Sequence, residues 1–192
     1  MTEDGLIGFL YRGAKKITYH PSASTPEALG YQIAIFCNNT SVEAMKKGFD
    51  KIKLVTPRNV PTDKQIEECR RWTDLNVASG SEKDWECLLA KTLGDLRVYF
   101  IWGRCKYMID GIKSIGSILY KYIINLDTEK LEFWTYVDFS KPLVEFDLNN
   151  FPHPKEVAWA MIEALKTVDD SYQTYSGSLD GAYGQLIELV NQ

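Results

Sequence analysis

YMIDGIKSIGSILYKYIINLDTEKLEFWTYV, residues 107–137, is the densest apolar and aromatic run of the chain, and its reading decides the fold. A first arm, Ser117 to Leu126, is rich in Ile and Tyr. A second, Leu131 to Val137, holds Phe133, Trp134 and Tyr136. Such β-branched and aromatic residues suit a pleated, packed surface. The polar Asp127-Thr128-Glu129-Lys130 between them suits a tight reversal, so the stretch predicts a central β-hairpin over 117–137.

Working outward, a second hairpin is expected at the N-terminus. Gly5 to Tyr11 and Ile17 to His20 flank a Gly-containing polar loop, Arg12 to Lys16. Gly5 and Gly8 inside a strand are costly unless a backbone or ligand approaches closely there. The breaker-rich Pro21–Pro26 follows, with Thr25 and Pro26 placed as N-cap and first residue of a helix striped by Leu29, Ile33, Phe36 and Cys37. A second helix starts near Ser41 with Val42, Met45 and Phe49 inward and Lys46-Lys47 outward.

Lys51 to Thr56 alternates as a short strand. Pro61-Thr62-Asp63 opens a charged surface helix through about Trp72. Ser81 and Asp84 form an acidic variant of a capping box before a helix striped by Trp85, Leu88, Leu89 and Leu93, which stops at Gly94. Asp95 to Trp102 reads as a strand. Beyond the central hairpin, Pro142 to Leu148 alternates as a half-wet strand, and Pro152-His153-Pro154 leads into a helix from Lys155 to Thr167 carrying Val157, Met161 and Leu165. The expected fold is α+β: one domain over 1–192, a mainly antiparallel sheet covered by helices, with 169–192 a loosely attached C-terminal segment. A short apolar patch, Leu186 to Val190, suggests a docking helix there.

Composition narrows the function. The net charge is −4, and no long basic run occurs, which argues against general nucleic-acid binding and against an anionic membrane surface. The apolar runs fall short of a membrane span, and the acidic Met1–Asp4 opening is unlike a signal peptide, so a soluble, cytoplasmic protein is expected. Cys37, Cys69, Cys87 and Cys105 form no CxxC, and His20 and His153 stand far from them in sequence, so no metal site and no cofactor are expected. The 11 Tyr and 5 Trp exceed what a core this size needs, and exposed aromatics suit contact surfaces.

Several local patterns, taken in order over residues 5–135, resemble a family of small uncharacterised proteins of phages, fungi and other eukaryotes that open M-G/C-T-R-G-L-x-G-F. The opening here is MTEDGLIGF. Thr18 to Gly30 stands where the family has its Tyr-rich motif. Pro61-Thr62-Asp63-Lys64-Gln65-Ile66 matches its P-T-x-x-Q-I element, and Trp85, Leu88, Leu89 and Gly94 its W-x-x-L-L element. Tyr107 to Asp110 and then Tyr120 to Leu131 resemble its Y-I-I-N-L-D-T hairpin.

Members that begin Met-Cys-Thr are similar to the start of N-terminal-nucleophile amide hydrolases, in which an exposed Cys, Ser or Thr attacks an amide with its own amine as base. The resemblance places Thr2 in that role. The family's early Arg is Asp4 here, and the Asn, His and Asp of its Tyr-rich motif fall on His20, Pro21 and Ala23.

The expected function is therefore a non-enzymatic binding or interaction protein, with a phage counter-defence or host-takeover role implied by the resemblance. The alternatives are an amidohydrolase using Thr2 and a protein that sequesters a nucleotide or other small ligand. The partner is a protein or a small ligand, met by Tyr19 and His20 or by the polar group Arg104, Tyr107 and Asp110. His20 is the second catalytic candidate, as a side chain that titrates near neutral pH. Exposed Tyr and Trp on the sheet edge or in the Tyr107–Gly116 loop would form a contact surface.

Overall fold

Strand β1 (Asp4–Tyr11) lies near the middle of a five-stranded sheet, in the order β2 (Ala14–His20), β1, β5 (Ile118–Asn125), β6 (Lys130–Thr135), β7 (Val144–Asp147), as the computed structural model shows. The structure describes residues 4–21, 23–92, 94–100, 105–111 and 118–169. The expectations for Thr2, Leu93, Trp102, Arg104, Ser117, the 112–116 part of the loop and the segment after Asp169 lie outside these residues.

β1 pairs antiparallel with β2 (Ala14–His20) through a two-residue turn, Arg12-Gly13, whose φ angles are 51° and 71°. Positive φ at both central residues gives the turn a twist that matches the strands. The five-residue loop expected over Arg12–Lys16 therefore contracts to two, and Lys15 and Lys16 join the ladder opposite Leu10 and Phe9. Lys16 spans toward the core and donates its ammonium to the carbonyls of Phe49 and Ile52, each at 2.6 Å.

The central hairpin forms where the sequence placed it. β5 (Ile118–Asn125) and β6 (Lys130–Thr135) pair from Tyr120↔Thr135 to Asn125↔Lys130. β7 (Val144–Asp147) adds antiparallel to β6. Within this sheet only the β1–β5 junction is parallel, because the chain crosses a series of helices between β2 and β5 and re-enters in the same direction. The result is an α+β fold with a mostly antiparallel sheet.

The tips of the two hairpins are tied together. The Asp127 carboxylate accepts the Arg12 amide at 2.7 Å and the Gly13 amide at 3.3 Å, while Asn125 Oδ1 accepts the amides of Asp127 and Thr128. Asp127→Ala is expected to cost about 1 kcal/mol, since the freed amides are exposed and recover water. Urea unfolding would read it, and an unchanged midpoint would show that the turns are independent.

One face of the sheet presents Ile7, Phe9, Tyr122, Ile124, Leu131 and Phe133, all nearly fully buried. They share a core with the helices α1 (Tyr31–Asn39), α2 (Val42–Lys51) and α6 (Pro154–Lys166) through Ile33, Phe36, Met45, Val157, Met161 and Leu165. A π-helical turn, Pro26–Gly30, precedes α1. Thr25 is its N-cap without a side-chain capping bond. Ser41 caps α2 by accepting the Ala44 amide, and His153 caps α6 by accepting the Lys155 amide. The four cysteines are free and buried. On the opposite face Leu6, Ile17, Ile118 and Ile123 form a smaller cluster.

The structure departs from expectation in four places. The strand expected over Lys51–Thr56 is only β3 (Lys53–Val55), with Lys51 still in α2. β3 pairs in parallel with β4 (Tyr107–Ile109), forming a separate two-stranded sheet. Residues 107–137 are thus divided between two sheets. The charged helix expected through about Trp72 is α3 (Asp63–Cys69) followed by a 3-10 turn, Arg70–Trp72, and the helix expected between Ser81 and Gly94 is only α4 (Trp85–Leu88), whose N-cap is Asp84. Finally, Asp95–Phe100 is no strand. The Asp95 carboxylate accepts the Arg97 amide at 2.9 Å and grips its guanidinium, turning the chain into α5 (Arg97–Phe100).

Candidate functional site

Gly111 sets the geometry of a cleft between the two sheets. A Cβ there would run into the Tyr19 amide nitrogen and lie 2.6 Å from the Thr18 carbonyl carbon, so only glycine lets the end of β4 close on the end of β2. The cleft beside this contact has a volume of about 720 Å³. Thr18, Tyr19 and Pro21 form one wall, and Ile109, Asp110 and Gly111 continue it. Pro57 and Arg58 come from the connection after β3. Asp74, Val77 and Ala78, then Glu86, Leu89, Ala90 and Thr92, complete the opposite side.

That opposite side is pinned before any ligand arrives. The Asp74 amide donates to the Cys87 carbonyl at 3.0 Å, and the Lys91 amide to the Trp72 carbonyl at 3.0 Å. The Cys87 thiol donates to the Val77 carbonyl at 3.1 Å. Asp84 accepts the Ser79 hydroxyl at 2.6 Å while also capping α4. These bonds hold a polar loop, residues 73–80, against a short helix. Such preformed concavity is the usual character of a small-molecule site.

Two of the residues singled out in the sequence, Tyr19 and Asp110, line this cleft. Burial, with help from the Asp4 carboxyl to which it hydrogen bonds, pushes the Tyr19 phenol up to about 12, so the ring is neutral at physiological pH. The Asp110 amide donates to the Val55 carbonyl, extending the β3–β4 ladder to the cleft floor.

His20 sits behind this wall, its ring against Gly94. Its Nδ1 is 3.0 Å from Ser24 Oγ, and that hydroxyl donates to the His20 carbonyl at 3.2 Å. The His20 ring and the Ser24 hydroxyl thus form one hydrogen-bonded pair. Ser24 is fully buried, and its own carbonyl accepts the Tyr122 hydroxyl at 2.7 Å. The pair locks the entry to the first helix.

Tyr107 is not part of the cleft or of any exposed surface. Its ring is buried 5.2 Å from that of Trp85, and its hydroxyl donates to Glu68 Oε2 at 2.7 Å. Lys106 reaches the same carboxylate, at 3.4 Å. The hydrogen bond from Tyr107 holds the Glu68 carboxyl below its ordinary range. The polar group expected around Arg104–Asp110 is therefore divided, Tyr107 bracing α3 and Asp110 facing the cleft. Among the described residues the exposed aromatic side chains are Tyr136 and Phe139 after β6 and Trp159 on α6, away from the cleft, whereas the exposed Val77 lines it.

Arg58, Asp74 and Glu86 are cleft residues that the sequence reading passed over. Arg58 and Asp74 come from two separate connections and Glu86 from the first turn of α4, and no local motif marks them. Among the described residues no group of His, Cys, Asp and Glu is arranged to hold a metal ion, and no helix is long and apolar enough to cross a membrane. No family model, curated protein or solved structure matches the chain.

Proposed function

We propose that this protein works by binding, and that it holds a small, largely apolar molecule in the cleft beside the β2–β4 contact. The observation that carries this is the cleft itself. Its volume of about 720 Å³ falls inside the range of roughly 300–1,000 Å³ found for small-molecule sites. Its walls are mainly apolar, through Pro21, Pro57, Val77, Leu89, Ala90 and Ile109, with a few polar groups among them. The hydrogen bonds that pin residues 73–80 reduce the ordering cost that binding would otherwise carry. A binding role also agrees with the state of the His20–Ser24 pair, whose hydroxyl is sealed from substrate.

The test is a ligand-observed NMR screen of aliphatic and aromatic fragments against the wild-type chain and two cleft-filling variants, Ala90→Trp and Val77→Trp. Val77 is partly exposed at the rim, so its variant is expected to fold even if the bulkier change at Ala90 is not tolerated. The expected result is a set of wild-type hits that disappears in the variants with circular dichroism unchanged. Hits that persist in both variants, or no hits at millimolar fragment, would overturn the reading.

A further inference from the structure

The charge of the cleft points to one class of ligand, an inference that rests on the cleft being a binding site. Its described walls carry three carboxylates, Asp74, Glu86 and Asp110, against the single guanidinium of Arg58. Arg58 and Glu86 are both exposed and screened by solvent, whereas Asp74 and Asp110 are half-buried, so the negative excess lies in the wall itself. Asp74 is held in place and ionised: its Oδ1 accepts both the backbone amide and the side-chain amide of Asn76, each at 2.9 Å. The first of these bonds keeps its carboxyl below the ordinary range, and Lys91 nearby adds to the effect.

An excess of negative charge along low-dielectric walls concentrates cations. The same walls disfavour a cation that is hydrophilic throughout, since Val77, Leu89, Ala90 and Ile109 offer it no partners. A bare metal ion is also a poor fit, because the three carboxylates do not converge as a ligand set. We infer that the cleft takes an organic cation, an ammonium head on an apolar body. The combined field of Asp74, Glu86 and Asp110 draws the head, and the Leu89–Ile109 surface meets the body.

Three probes with one apolar body separate charge from shape: 4-phenylbutylamine, 4-phenylbutan-1-ol and 4-phenylbutyrate, titrated into the full chain by NMR. The amine is expected to bind at least ten-fold more tightly than the alcohol, and the carboxylate more weakly than either. Raising the salt from about 50 to 500 mM should narrow the amine's advantage, because exposed charges are screened. The combined variant Asp74→Asn, Glu86→Gln should bring the amine-to-alcohol ratio close to one. Equal binding of amine and alcohol, or a preference for the carboxylate, overturns the charge inference and leaves the cleft reading standing. Failure of all three probes to bind also overturns it, and the fragment screen then decides the cleft reading separately.

Discussion

Gly8→Ala is expected to destabilise the protein by about 3 kcal/mol or more, although it adds a single methyl group. A Cβ at Gly8 would collide with the Lys16 carbonyl oxygen and lie 2.6 Å from Ile17 Cα and 2.9 Å from the Lys16 carbonyl carbon. All three are backbone atoms, so no rotamer change relieves the contact. β1 cannot shift away easily, because it is paired on its other side with β5. β2 is restrained too, since Lys16 is bonded to the carbonyls at the end of α2. For a chain of this length the loss corresponds to a fall in Tm of roughly 6–12 °C. Gly13→Ala provides the contrast. Gly13 has φ 71° but open space around it, so only backbone strain of about 1–2 kcal/mol is expected. Differential scanning calorimetry of both variants checks the argument. A Gly8→Ala protein within 1 °C of wild type would show that the two strands are not held at this distance.

Phe133→Ala is expected to cost about 4 kcal/mol, a large part of the roughly 5–15 kcal/mol that stabilises a typical domain. Phe133 is fully buried in the middle of the sheet, directly opposite Tyr122 in the β5–β6 ladder. Its ring lies 5.1 Å from that of Tyr122 and 6.1 Å from that of Tyr120. Truncation removes apolar burial and leaves a void that two tyrosines cannot fill, because the Tyr122 hydroxyl is anchored to the Ser24 carbonyl. Phe133→Leu, which restores most of the volume, should cost about 1.5 kcal/mol. Guanidinium unfolding would compare them, and a loss below 1 kcal/mol for the alanine variant would contradict this account of the core.

Local signals in the sequence carried most of the sheet. The Ile–Tyr arm and the Phe133-Trp134 arm pair as expected, with Lys130 entering the strand opposite Asn125 instead of closing the turn. The unusual glycine in β1, Gly8, does mark a close backbone approach. Asp95–Phe100 misled because Val98, Tyr99 and Phe100 have strand composition, whereas the Asp95–Arg97 clasp that bends them into a helix depends on side-chain geometry. The division of 107–137 was hidden for another reason. β4 finds its partner in β3, more than fifty positions earlier, and no short-range pattern records that pairing. The cleft shares this property. Tyr19 and Asp110 stood out as polar residues near strand ends, but Arg58 reaches the cleft only through the β3–β4 pairing, and Asp74 and Glu86 are brought together only by the bond from the Asp74 amide to the Cys87 carbonyl.

The most direct test of the cleft as the working site is a backbone-amide chemical-shift map with 4-phenylbutylamine as the probe. The account predicts perturbations centred on Thr18, Tyr19, Ala90, Thr92, Ile109 and Gly111, with Tyr136–Phe139 unmoved. Shifts centred on Tyr136–Phe139, or shifts that leave the residues flanking Gly111 untouched, would contradict it.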